Sequence, residues 1–140
     1  MAGAGKSSIG LELAKRLDYA LIDSDELIEN QHGKSLQNIL DKEGYIKLRE
    51  IENLIIKNIN FDKTILSTGG SAVYSDEAMR HIQQYSKVIF LEVPFSQILK
   101  RVPNFLDRGF AKAPSQSIED AFLERQSLYK KYSHHTVSNA

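Results

Sequence analysis

From Ser7 to Leu17 the apolar residues Ile9, Leu13, Ala14 and Leu17 recur at helical spacing and predict an amphipathic helix. The apolar run Tyr19 to Asp23 then predicts a short buried strand, and Ser24 to Gln31 restarts a helix with Ser24 or Asp25 as its cap. A further helical stretch begins at Ser35 and stops near Gly44. Another runs from about Tyr45 to Asn58, with Leu48, Ile51, Leu54 and Ile55 on one side and Arg49 and Glu52 on another face. Residues 63–74 read as a strand that ends in a Gly69-Gly70 turn, and residues 75–85 as the helix returning from it. The run 87–93, Lys-Val-Ile-Phe-Leu-Glu-Val, is the clearest strand; Pro94 closes it and a helix follows to about Arg101. Residues 102–117 mix Pro, Gly and charge without periodicity, and at about 15 residues they exceed an ordinary connection, as functional lids do. The last strong helix, 117–132, is capped by Ser117 with Asp120 at the third position, and His135 to Val137 open a final strand.

Strands that alternate with helices predict a parallel sheet covered on both faces, and such sheets bind ligands beyond the carboxyl ends of their strands. Three strand-to-helix junctions should therefore meet at one edge: Gly3 to Ser7, the Asp23/Asp25 pair, and Gly69-Gly70.

Composition narrows the partners. The 140 residues suit a single domain, and eighteen basic residues balance eighteen acidic ones, so no overall field favours nucleic acid or a membrane surface. The absence of cysteine excludes a disulfide framework and a thiolate metal site. No apolar run approaches the ~20 residues of a membrane span. The expectation is a cytoplasmic protein, monomeric, with a small-molecule partner.

The opening residues, Met-Ala-Gly-Ala-Gly-Lys-Ser-Ser, fit the phosphate-loop pattern G-x-x-x-x-G-K-[ST] without its leading glycine. Glycines allow successive backbone N–H groups to point at phosphate oxygens, and the following helix adds its positive end. Lys6 would reach the β- and γ-phosphates and Ser7 would ligate Mg²⁺. Asp23 and Asp25 straddle one residue, a spacing that lets one carboxylate hold a metal's water shell while the other takes a proton from a substrate hydroxyl. The same pair also suits a plain solvated helix start. Gly69-Gly70 permits close backbone approach to a ligand and is equally ordinary turn chemistry. Arg49 reads either as a surface ion-pair partner of Glu52 or as an anion clamp; Arg108 and Arg125 carry the same two readings. His134 and His135 lack the spaced partners of a zinc site, and Tyr129 to Tyr132 reads as a solvated helix end rather than a nucleic-acid patch.

The order of these motifs resembles the shikimate kinase family over nearly the whole chain. "GAGKSSIG" is similar to its phosphate loop, "LIDSDELIE" to its D-x-D segment, "LREIE" to F-R-x-x-E, "STGGSAV" to its glycine-rich turn, and "ERQSLYKKY" to its R-x-P-L-Y helix. The resemblance implies a three-layer α/β P-loop fold of the nucleoside-monophosphate-kinase type, with the family's first strand and last helix missing, and a lid at about residues 103–116. It implies that ATP and Mg²⁺ are used to phosphorylate the 3-hydroxyl of shikimate in aromatic amino-acid biosynthesis. Nucleotide binding is implied for Gly3, Ala4, Gly5, Lys6, Ser7, Ser8 and the lid Arg108. Asp25 is implied as base, Asp23 with Ser7 as Mg²⁺ organisers, Arg49 and Arg125 as the carboxylate clamp, and Gly69 and Gly70 as ring contacts. Ser71 replaces a glycine of the family, Leu48 a phenylalanine, and Gln126-Ser127 the pair Ala-Pro, while "DRGFAKAP" stands where the family has Arg-Pro-Leu-Leu. The altered lid admits a second reading, a kinase of another hydroxy acid such as gluconate. The missing glycine and strand admit a third, a nucleotide-binding module without turnover.

Overall fold

The computed structural model describes residues 1–104 and 110–140. Its strands are β1 (Ala20–Asp23), β2 (Thr64–Ser67), β3 (Ile89–Glu92) and β4 (His135–Ser138). Its helices are α1 (Lys6–Leu17), α2 (Ser24–His32), α3 (Leu36–Ile56), α4 (Asp76–Tyr85), α5 (Phe95–Arg101) and α6 (Ile118–Tyr132), with a short 3₁₀ turn at Ala72–Tyr74. The predicted boundary near Gly44 is present as a break inside α3, where Gly44 has φ 85 and ψ 169.

Pairing is parallel throughout, but the strands form two separate pairs rather than one sheet: β1 with β2 in register Ala20↔Thr64 to Asp23↔Ser67, and β3 with β4 in register Ile89↔His135 to Glu92↔Ser138. Successive strand side chains point to opposite faces. Leu21 and Ile65 accordingly meet α1 at Gly10, while Ile22 and Leu66 face a cluster built from Ile56, Ala72, Val73, Ala78, Met79, Ile82 and Tyr132. Helices thus cover both faces of the β1–β2 pair, the three-layer arrangement that the strand–helix alternation predicts. Around β3, Val93 packs with Met1, Ala4, Ile98, Val102 and Phe122. Ile89 and Val137 are each about half exposed, so this face of the β3–β4 pair is only partly covered by the described residues, through Leu91, which packs on that cluster.

Local chemistry sets the helix ends. Ser35, Ser75 and Ser117 accept from the backbone N–H groups of Asn38, Ala78 and Asp120 respectively, each satisfying a donor that a helix N-terminus leaves unpaired. The cap of α2 differs from the sequence expectation. It is Asp23, not Ser24 or Asp25, whose Oδ1 accepts from Asp25 N at 2.9 Å and Glu26 N at 3.2 Å, because Ser24 is fully buried and engaged elsewhere. Two apolar positions also depart from expectation: Leu54 is 56% exposed and Glu52 takes its place on the buried side, and on α1 the buried residues are Gly10 and Ala14 while Leu17 is exposed. No helix among the described residues is long and apolar enough to cross a membrane.

Candidate active site

The phosphate-loop segment lies between the carboxyl ends of the two strand pairs. Met1 and Ala4 pack against Val93 at the end of β3, and the Met1 backbone also approaches Gly70 beyond the end of β2. Gly5 caps α1 with φ 95, a conformation that side-chain-bearing residues rarely adopt, and this turns the loop into the helix. The loop is fastened from behind. Arg101 donates from Nη1 to Gly3 O and from Nη2 to Asn139 O, both at 2.9 Å, and Asn139 Nδ2 donates to Ala4 O at 2.7 Å.

An open groove of about 900 Å³ runs over this loop, lined by Gly3, Gly5, Lys6, Ser7, Ser8, Asp23 and Asp25 among others. Ala4 does not line it: its side chain is buried in the core. A smaller cavity lies behind the groove, lined by Lys6, Asp25, Leu48, Glu52, Gly70, Ser71, Ala111 and Arg125. Lys6 and Asp25 belong to the walls of both. Lys6 Nζ donates to Met1 O at 2.7 Å. Burial lowers the Lys6 pKa, against the attraction of Asp25. Burial raises the Asp25 carboxyl to about 6, with the charge of Asp23 adding to the shift and Lys6 opposing it.

The glycine turn is held residue by residue. Gly69 N donates to the buried Ser24 Oγ at 2.8 Å, Tyr129 Oη donates to Gly70 O at 2.7 Å, and Ser71 Oγ donates to Glu52 Oε1 at 2.7 Å. Gly69 has no room for a side chain, since a Cβ there would run into Glu52 Oε2 and Asp25 Oδ1. The two carboxyl groups therefore converge to within about 5 Å, close enough for each to raise the other's proton affinity. Burial is the main cause that lifts Glu52 to about 7, with the Ser71 hydrogen bond pulling down and Asp25 pushing up.

Arg125 lines the smaller cavity, whereas Arg49 lines neither space and reaches the same Ala111 carbonyl from behind the wall. Arg49 does not form the expected surface pair with Glu52; its guanidinium stacks 3.6 Å over the Tyr74 ring and donates from Nη2 to Ala111 O at 3.0 Å. Arg125, 2% exposed, donates from Nη2 to the same oxygen at 2.8 Å and lies 3.9 Å over the Phe110 ring. Both Nε atoms are buried without a hydrogen-bond partner among the described residues. Arg108, expected from the sequence as a lid residue, lies outside the described residues.

Glu52, Ser71 and Tyr129 belong to this site although the sequence reading gives them no site role. Glu52 is buried rather than a surface partner of Arg49, and Ser71 reads only as a replaced glycine. The stretch Tyr129 to Tyr132 is not a solvated helix end, since Tyr129 Oη reaches Gly70 O and Tyr132 is buried. For Glu52 a signal exists: it lies four residues after Leu48 and three before Ile55, on the buried stripe of α3. For metal binding, the groove offers oxygen donors alone. The Ser7 hydroxyl and Asp23, which spends Oδ1 on the α2 cap and retains Oδ2, suit a hard cation that takes few protein ligands and completes its shell with phosphate and water. No cluster of three or more His, Cys, Asp or Glu suited to a metal occurs among the described residues.

The chain is similar to known proteins in sequence and in fold. The family profile described as shikimate kinase matches residues 2–140. A shikimate kinase of Francisella tularensis subsp. holarctica is 35% identical over 91% of this chain and 75% of its own, and one from Sulfurihydrogenibium sp. is 33% identical over 91% and 78%. Among solved structures, the shikimate kinase from Acinetobacter baumannii in complex with shikimate superposes with a TM-score of 0.88 at 28% identity, covering 99% of this chain and 79% of that one. The shikimate kinase of Aquifex aeolicus gives 0.83 at 27% identity, with 99% and 82% covered. The chain belongs to the shikimate kinase family.

Proposed function

We propose that this chain transfers the γ-phosphoryl group of ATP to the 3-hydroxyl of shikimate. One observation carries the reading: the groove over the phosphate loop and the smaller cavity share Lys6 and Asp25, so two ligands in the two compartments would touch where a lysine and a carboxylate face each other. Family membership supports the acceptor. A structural neighbour is described in complex with shikimate, which favours that acid over gluconate and a kinase over a module without turnover.

In this scheme the backbone N–H groups of residues 3–8 cradle the phosphates at the positive end of α1, and Lys6 answers the charge of the transferred group. Asp25, raised towards neutrality by burial, accepts the proton of the attacking hydroxyl; a base with a pKa near the working pH serves best. Arg49 and Arg125 take the acceptor's carboxylate, for which a planar guanidinium pair is the matched partner. Ser7 and Asp23 would hold Mg²⁺, which neutralises phosphate charge when bound. The lid arginine of the family corresponds to Arg108. A coupled ADP-release assay with Mg-ATP tests the reading: turnover is expected with shikimate and not with gluconate, and the reverse preference would refute it.

A further inference from the structure

Ser71 occupies a turn position where the family has glycine, and its hydroxyl has a partner inside the cavity. Oγ donates to Glu52 Oε1 at 2.7 Å, an ordinary length for a hydroxyl-to-oxygen hydrogen bond. The donor is rigidly placed, because Ser24 and Tyr129 pin the two residues before it and Ser71 itself caps the 3₁₀ turn. Its backbone, φ −91 and ψ −2, is that of the third residue of a type I turn, which most residue types adopt, so the position does not itself demand a serine.

Glu52 is a buried carboxylate with two cations at hand. Arg49 lies one helical turn before it on α3, and Arg125 lines the same cavity. A carboxylate in such a place satisfies itself most cheaply by pairing with a guanidinium. Yet the Nη2 atoms of both arginines reach Ala111 O instead, and Glu52 turns to Ser71 and Gly69. We propose that Ser71 is a positioning residue that holds Glu52 away from Arg49 and Arg125 and so keeps that pair available for the acceptor's carboxylate. The proposal rests on reading the cavity as the acceptor site. The charged groups that face Glu52 are Asp25, Arg49 and Arg125; Asp25 repels it from one side, so loss of the Ser71 bond leaves the arginines as its remaining partners.

The test is a double-mutant cycle with Ser71→Ala and Glu52→Gln, read by steady-state kinetics and by the ¹⁵N guanidinium resonances of Arg49 and Arg125. Ser71→Ala is expected to raise the shikimate KM about tenfold, the scale of one hydrogen bond to a charged group. The ATP KM should stay unchanged, and Ser71→Thr should restore the wild-type value. In the Glu52→Gln background the same substitution should change nothing, because a neutral amide does not compete for the guanidinium groups. The guanidinium resonances should shift in Ser71→Ala and return in the double variant. A KM effect that persists in the Glu52→Gln background, or resonances that do not move, overturns the proposal. Ser71→Gly removes the same hydroxyl if the alanine variant fails to fold, and failure of both would make Ser71 a folding residue and overturn it too. A wild-type chain without shikimate turnover counts against the functional reading, whereas the resonances report on Ser71 regardless.

Discussion

Arg49 and Arg125 come from α3 and α6, yet each donates from Nη2 to one main-chain oxygen, that of Ala111, at 3.0 and 2.8 Å. Under the proposed function the acceptor's carboxylate would take the place of this carbonyl oxygen, and the Phe110–Ala111 segment would be displaced on binding.

That displacement is measurable by hydrogen exchange. Saturating shikimate should speed exchange in residues 110–113, where Lys112 N now donates to Phe110 O. Unchanged exchange with shikimate bound would mean that the carboxylate binds elsewhere.

Removing one arm of the clamp should separate the two substrates. Arg49→Ala is expected to raise the shikimate KM about tenfold or more, with the ATP KM within about twofold, because a charged hydrogen bond contributes on the order of 1.5–3 kcal/mol. Equal changes in both KM values would place Arg49 outside the acceptor site.

The turn at Gly69 ties the site to stability. Ser24→Ala leaves the buried Gly69 N–H unpaired and should lower the unfolding free energy by about 1–3 kcal/mol in urea titration. Gly69→Ala should be worse for activity than Gly70→Ala. The first drives a methyl into two carboxylates, while the second meets the end of the Arg125 side chain at 3.0 Å.

Burial of the two acids gives stability a definite pH dependence. Asp25 and Glu52 are raised to about 6 and about 7, chiefly by burial, so the folded state binds protons more tightly than the unfolded chain between their ordinary values and these. Stability should consequently fall as pH rises through that window. Glu52→Gln removes one of the two groups and should narrow the gap between Tm at pH 5 and at pH 8. A gap that stays as wide in the variant would show that Glu52 ionises in the fold as it does in the unfolded chain.

What the sequence made legible follows from locality. The Ser117 cap with Asp120, the short apolar strand runs and the stop at Gly44 are decided by neighbours in the chain, and each appears where the pattern puts it. The convergence of Lys6, Asp25 and the glycine turn followed from one rule about strand ends. Contacts between distant segments were not legible. Nothing near Ala111 in sequence announces that two arginines 62 and 14 residues away share its carbonyl. Asp23 and Ser24 traded expected places because Gly69, 45 residues on, claims the serine hydroxyl. The separation of the strands into two pairs is likewise a matter of which segments lie side by side.

The most direct test of the account is the identity and rate of the product. ³¹P NMR and mass spectrometry of a reaction with Mg-ATP and shikimate should show a single phosphoryl group on the 3-hydroxyl, formed about 10²-fold or more slowly by Asp25→Asn, the range lost with a general base. Phosphoshikimate formed at an undiminished rate by Asp25→Asn, or ATP consumed with no phosphoshikimate from the unaltered chain, would contradict it.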